Sequence, residues 1–117
     1  MKIKLVERNG KKYFVYHTSR QICKQDLSDI VYFERVGRRI RMYSLKSGDE
    51  EIYGSLAELY ELLKEERFEY VNQSVIVNFD HITNVRNNYV RMSDGSNVEI
   101  SRSKKKNVID SFFDILN

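Results

Sequence analysis

The chain has 117 residues, a formal net charge of +3, one cysteine, eight tyrosines and neither proline nor tryptophan. That length fits one domain with its own core. The single Cys23 excludes an intramolecular disulfide and points to a cytoplasmic setting, and no apolar run approaches the roughly 18 residues of a membrane span. The charge is unevenly spread: residues 49–69 hold eight acids against Lys64 and Arg67, a net of −6, so the rest carries +9. Within that remainder Arg35, Arg38, Arg39 and Arg41 form one cationic group, and Arg102 with Lys104, Lys105 and Lys106 another. A basic face opposite an acidic one suggests a polyanionic partner.

In chain order, residues 3–8 and 11–18 are β-rich runs flanking Asn9-Gly10, a strong hairpin signal. Residues 19–28 are expected to be loop. A strand rich in Val, Ile, Tyr and Phe follows over 29–36, Gly37 breaks it, and 38–45 alternates as the next strand. Residues 46–49 are turn material, and 50–54 a short strand. The period then changes. Residues 55–66 place Leu56, Leu59, Tyr60 and Leu63 on one helical face, and Ser55 with Glu58 forms an S-x-x-E capping box. The acids on the opposite face read as a solvated surface. Residues 67–79 begin as a strand, FEYV, and continue as VNQSVIVN, either a turn of helix or an irregular link. Residues 81–87, 89–93 and 97–101 read as strands, joined by turns at Asn87-Asn88 and Asp94-Gly95. The chain closes with an amphipathic helix bearing Val108, Ile109, Phe112, Phe113 and Leu116, with Ser101 or Ser103 as its cap.

The catalytic inventory is thin. There is no G-x-S-x-G, C-x-x-C, H-E-x-x-H or glycine-rich phosphate loop. One cysteine and two distant histidines, His17 and His81, are a poor supply for a metal's three or four ligands. No metal, cofactor or enzymatic activity is expected. Asp80 and His81 are sequence neighbours whose side chains diverge on a strand, which favours structural or surface roles. Cys23 has no candidate base beside it and reads as a buried inert thiol.

Two features rise above this background. Four arginines within Arg35–Arg41 are costly to hold together without an anion among them. Arginine's planar fork suits phosphate oxygens and guanine edges; the competing explanation is a solvated edge strand charged against aggregation. The second feature is the start of the last helix. Cations there oppose the helix dipole by roughly 0.3–1 kcal/mol each. A bound phosphate would reverse the sign, since dipole, free N–H groups and lysines would then pull together; a plain solvated start is the alternative. Asn72, Gln73 and Ser74 add polar groups, of which Asn and Gln can pair with adenine, although turn formation explains them equally well.

Taken together, DIVYFERVGRRIRMYSL, IYGSLAELYELL, RFEYVNQSVIVNFDHITNV and EISRSKKKNVI resemble the LytTR DNA-binding domain of bacterial response regulators. The resemblance runs from about Asp29 to Ile109, and its most specific block, from Arg67 to Ile82, is F-x-Y-V-N-x-S-x-I-V-N-x-D-H-I in form. It implies a mainly β, elongated fold of about ten short strands in small stacked antiparallel sheets, with two short helices. Residues 1–117 would be one domain, with 1–28 as N-terminal hairpin and lead-in and 29–117 as family core. The function implied is sequence-specific binding of double-stranded DNA as a bacterial transcription regulator, within a two-component system. Loops enter successive major grooves. One carries Arg38 and Arg39, with Arg41 behind them; one carries Asn72, Gln73 and Ser74; one carries Arg102, Ser103, Lys104 and Lys105. The implied target is paired direct repeats, with a second copy on DNA or RNA polymerase as further partners. Some relatives have His near Arg39 and Asn at Gln73; those departures bear on base preference and spare the phosphate contacts. Many relatives carry a receiver domain first. The 28 residues before Asp29 are too few for one, so the chain reads as a stand-alone member or part of a longer protein.

Two other functions compete. Arg35-x-x-x-Arg39 matches the arginine half of a PilZ-type cyclic-dinucleotide site, whose second half is incomplete because no Gly follows Asn72-Gln73-Ser74. A protein-interaction module would use the acidic helix 55–66.

Overall fold

The computed structural model describes residues 2–116. Among them eleven strands form three antiparallel sheets. The first joins β1 (Ile3–Arg8), β2 (Lys11–His17) and β3 (Ile22–Asp26) in that order. The second holds β4 (Ile30–Val36), β5 (Arg39–Ser44), β6 (Gly48–Ile52), β7 (Phe68–Asn72) and β8 (Val75–Asn78), ordered β6-β5-β4-β8-β7. The third orders β9 (Ile82–Arg86), β10 (Tyr89–Met92) and β11 (Asn97–Glu99) as β11-β10-β9. Two helices complete the chain, α1 (Leu56–Leu63) and α2 (Lys105–Leu116).

Local chemistry explains the connections. Asn9 and Gly10 take positive φ of 52° and 81°, the requirement of a two-residue hairpin turn that matches strand twist. Gly37 does the same at φ 64° in the Gly37-Arg38 turn, which closes the Val36↔Arg39 pair. The hydroxyl oxygen of Ser55 accepts the Glu58 N–H at 3.2 Å, so the capping serine starts α1 where the sequence places it. Leu56, Leu59 and Leu63 are buried.

The five-stranded sheet is the middle layer. On one face Ile30, Phe33, Ile40, Met42, Ile52 and Ile76 pack with Ile3, Phe14 and Tyr16 of the first sheet and the α1 leucines. On the other, Tyr32, Val75 and Val77 pack with Val90, Met92 and Val98 of the third sheet and Val108 of α2. Covering both faces buries all four residues of β8, which is why Val75, Ile76 and Val77 are an apolar run without alternation; the buried Asn78 that ends the strand donates its amide N–H to the Ile30 carbonyl at 3.0 Å.

Four expectations change. Residues 19–28 are not simply loop: β3 occupies 22–26, and a 3-10 turn covers Leu27–Asp29. The β3 sequence ICKQD is mostly polar, and it becomes a strand because β2 offers a free edge, pairing from His17↔Ile22 to Tyr13↔Asp26. Residues 72–78 are not helical, since β7 and β8 pair as a hairpin from Phe68↔Asn78 to Asn72↔Val75. The outline is a flattened slab of 39 × 36 × 24 Å, not an elongated body. Its radius of gyration, 13.7 Å, sits near the roughly 13 Å of a compact chain this long. At the C-terminal end a 3-10 turn, Arg102–Lys104, precedes α2. Ser101 occupies its cap position without a capping bond from its side chain, and its hydroxyl lies 3.5 Å from that of Ser103. Along α2, Val108 is buried and Phe112 packs on the second core, but Phe113 is 61% exposed; the Leu116 side chain lies outside those described.

Candidate nucleic-acid interface

Backbone hydrogen bonds gather four segments at one end of the slab. The Arg35 N–H donates to the Ser74 carbonyl at 2.8 Å, so the β4–β5 and β7–β8 turns lie side by side. The Ser101 N–H donates to the Val71 carbonyl at 2.9 Å, bringing the segment after β11 to the same place. The Ile100 N–H donates to the Asn88 carbonyl at 2.7 Å and adds the β9–β10 turn. Three of these segments carry the residues singled out from sequence. The fourth, Asn87-Asn88, reads there only as a turn, and no local signal ties it to the others.

Arg38 is exposed at the tip of the β4–β5 turn. Behind it, the Arg39 guanidinium pairs with Glu51, and Arg41 Nη1 lies 3.1 Å from Asp49 Oδ2. The anion that the arginine cluster demanded thus comes from the acidic stretch itself, on β6 of the same sheet. These pairs are solvent-exposed and weak, so a phosphate can displace the carboxylates. Arg35 stands opposite Ile40, whose side chain enters the first core, whereas Arg39 alternates to the other face. Arg35 and Arg39 therefore do not converge on one ligand, which removes the geometry a cyclic-dinucleotide arginine pair needs.

In the β7–β8 turn the Asn72 amide is hydrogen-bonded at both its oxygen and its nitrogen. Its Oδ1 accepts the Ser74 N–H at 2.8 Å, and its Nδ2 donates to the Glu99 carbonyl at 2.7 Å. One amide thus closes the turn and ties it to β11. Gln73, at the tip, is exposed and makes no side-chain hydrogen bond among the described residues; Ser74 is half-buried.

At the start of α2, Lys104 Nζ lies 5.6 Å from the centre of the Tyr70 ring, a cation–π contact. Burial raises the Tyr70 phenol pKa, and the nearby Arg35 charge opposes that shift. Lys105 Nζ donates to Asn88 Oδ1 at 3.1 Å, and Lys106 Nζ pairs with Asp110 at 2.9 Å, one helical turn on. Each lysine leans on a neighbour, which offsets part of its unfavourable position. The first turn of α2 nevertheless holds no acid, so its N–H groups and dipole have no counter-charge of their own. Arg102 and Ser103 are exposed, and Arg102 makes no side-chain ion pair or hydrogen bond among the described residues.

The rest of the chemistry is structural. Asp80 pairs with Arg67 at 3.1 Å, while the His81 ring bridges the Ser93 hydroxyl and the Ser28 carbonyl, so the two neighbours face separate partners. Cys23 is half-buried against the first core, less covered than its sequence suggested. Among the described residues no group of three or more His, Cys, Asp or Glu side chains could hold a metal ion, and no helix is long and apolar enough to cross a membrane.

Comparison with known proteins agrees with this fold. The family model described as the LytTr DNA-binding domain matches residues 20–112, so β3 falls inside the match and only β1 and β2 precede it. Among solved structures the chain is similar to the "LytTr DNA-binding domain of putative methyl-accepting/DNA response regulator from Bacillus cereus", with a TM-score of 0.71 and 21% identity over 81% of this chain and 91% of that one. No curated protein matches the sequence. With eleven strands in small antiparallel sheets, two short helices and a family match over most of its length, the chain belongs to the LytTR family of DNA-binding domains.

Proposed function

We propose that residues 1–117 act as one domain that reads double-stranded DNA sequence for a cytoplasmic bacterial transcription regulator, and that the domain is not an enzyme. The observation that carries this reading is the convergence of the 37–38, 73–74 and 101–105 segments on one end of the slab, with Arg38, Gln73 and Arg102 exposed there. Those three side chains have the donors that guanine and adenine edges accept in a major groove. Arg39 and Arg41 exchange Glu51 and Asp49 for phosphates. Lys104, Lys105, Ser103 and the uncapped start of α2 hold a second stretch of backbone. Ser74 offers a hydroxyl to phosphate, and Asn72 positions Gln73 from behind. The target is paired direct repeats bound by two copies, with RNA polymerase as the downstream contact of the bound pair.

The test is selection of duplexes from a random pool at physiological salt. A repeated element should emerge, and Arg102→Ala or Gln73→Ala should relax preference at one base pair by about 1–3 kcal/mol. Recovery of unrelated duplexes, with binding abolished by modest salt, would reduce the interface to a non-specific basic patch.

A further inference from the structure

Beyond the loops, the outward face of the third sheet carries a second group of cations. Its inner positions, Val90, Met92 and Val98, pack into the core. The alternate positions Asn84, Arg86, Tyr89, Arg91 and Asn97 line, together with Asn87, an open concavity of about 450 Å3. No carboxylate lines it. The one acid at an outward position of these strands is Glu99, paired opposite Tyr89 at the β11 margin. Arg39, Arg41 and Arg67 each have a carboxylate partner, whereas Arg86 and Arg91, like Arg38 and Arg102 of the loops, have none among the described residues. Tyr89 is 45% exposed, a large phenol left on an otherwise polar face.

The position of this face is informative. Arg86 pairs with Tyr89 across the Asn87-Asn88 turn, and Asn88 is the residue that receives both the Ile100 N–H and the Lys105 ammonium. The concavity therefore begins where the loop end stops. Arg91 is the diagonal cross-strand neighbour of Arg86, about 7–8 Å away at the backbone, and it leads away from the loops along β10. Two unpaired guanidinium groups flanked by amides and a phenol, continuous with a DNA-reading end, match a phosphodiester backbone better than an apolar or cationic partner.

We propose that the outward face of β9–β10–β11 is a second DNA contact, which holds the phosphate backbone flanking the element read by the loops. The inference rests on the DNA-binding reading above and extends it to duplex the loops do not reach. Arg86 and Arg91 take phosphate oxygens, and Asn84, Tyr89 and Asn97 supply further donors. Because phosphates carry no base information, this face adds affinity and salt dependence without changing the preferred sequence.

The experiment uses the intact chain and two duplexes: the selected element trimmed to its ends, and the same element extended on both sides by unrelated sequence. Wild type should bind the extended duplex more tightly. Arg86→Ala with Arg91→Ala should abolish that advantage and flatten the salt slope on the extended duplex by about 2. Affinity for the trimmed duplex and the selected sequence should stay unchanged. Arg86→Lys with Arg91→Lys should restore most of the slope. Selective binding in which the double alanine variant keeps the wild-type slope on the extended duplex would overturn this inference alone. A wild-type chain that binds neither duplex would overturn the DNA-binding reading and this one with it.

Discussion

Asn72 and Gln73 are adjacent amides at the tip of one hairpin, and their surroundings give them different work. Asn72 makes two hydrogen bonds inside the protein, one to the Ser74 N–H and one to the Glu99 carbonyl; Gln73 points outward. Each internal bond is worth roughly 0.5–1.5 kcal/mol net, so Asn72→Ala should cost about 1–3 kcal/mol of folding stability. At about 4 °C per kcal/mol for a domain of this size, Tm should fall by roughly 4–12 °C. Gln73→Ala should leave stability within about 0.5 kcal/mol of wild type. On DNA the pattern should invert. Gln73→Ala should lose preference at one base pair, whereas Asn72→Ala should weaken every sequence, because it frees the turn from β11 and lets Gln73 wander. Denaturant unfolding and anisotropy titrations against single-base variants of the selected duplex read both effects. An Asn72→Ala variant with wild-type stability and a changed preference at one base pair would show that Asn72 reads DNA, and the positioning argument would be refuted.

Glu51→Gln removes the carboxylate that holds Arg39, so affinity for all duplexes should rise and the salt slope should steepen by up to about 1; a weaker or unchanged slope would mean that the pair orients Arg39 instead of competing for it. Leu59 is fully buried between α1 and the central sheet, and Leu59→Ala should cost about 2–5 kcal/mol in urea unfolding. The Tyr16, Tyr32, Tyr43, Tyr60 and Tyr70 phenols are all raised, chiefly by burial, with the Glu50 and Glu34 carboxylates adding to the shifts of Tyr16 and Tyr43. Folded values above the unfolded value of about 10 mean that their stabilisation is complete below that pH and is lost as pH rises through the folded values. Unfolding free energy should therefore fall steeply above about pH 10. Tyr43→Phe should soften that fall, and an equally steep fall in Tyr16→Phe with Tyr43→Phe would exclude Tyr16 and Tyr43 as its cause.

What the sequence determined by itself acts over a few residues. Positive-φ turns at Asn9-Gly10 and Gly37, the Ser55 cap, the leucine period of α1 and the alternation of β5 follow from backbone sterics and local hydrogen bonds, and all stand in the structure. The family pattern likewise picked out the three loop segments. Other features depended on partners far along the chain. β3 has little apolar pattern of its own and exists because β2 presents an open edge. The run VNQSVIVN became a hairpin because β4 and the two flanking layers bury β8 on both faces, a demand with no local period. Arg39 and Arg41 looked short of an anion because Glu51 and Asp49 come alongside only once β6 has paired with β5. The tie that Asn72 makes to β11 was invisible locally because its acceptor, the Glu99 carbonyl, is 27 residues away. The meeting of four segments at one end, and the placing of Arg86 and Arg91 beside it, were decided by tertiary structure alone, since hydrogen bonds between strand ends distant in sequence set those positions.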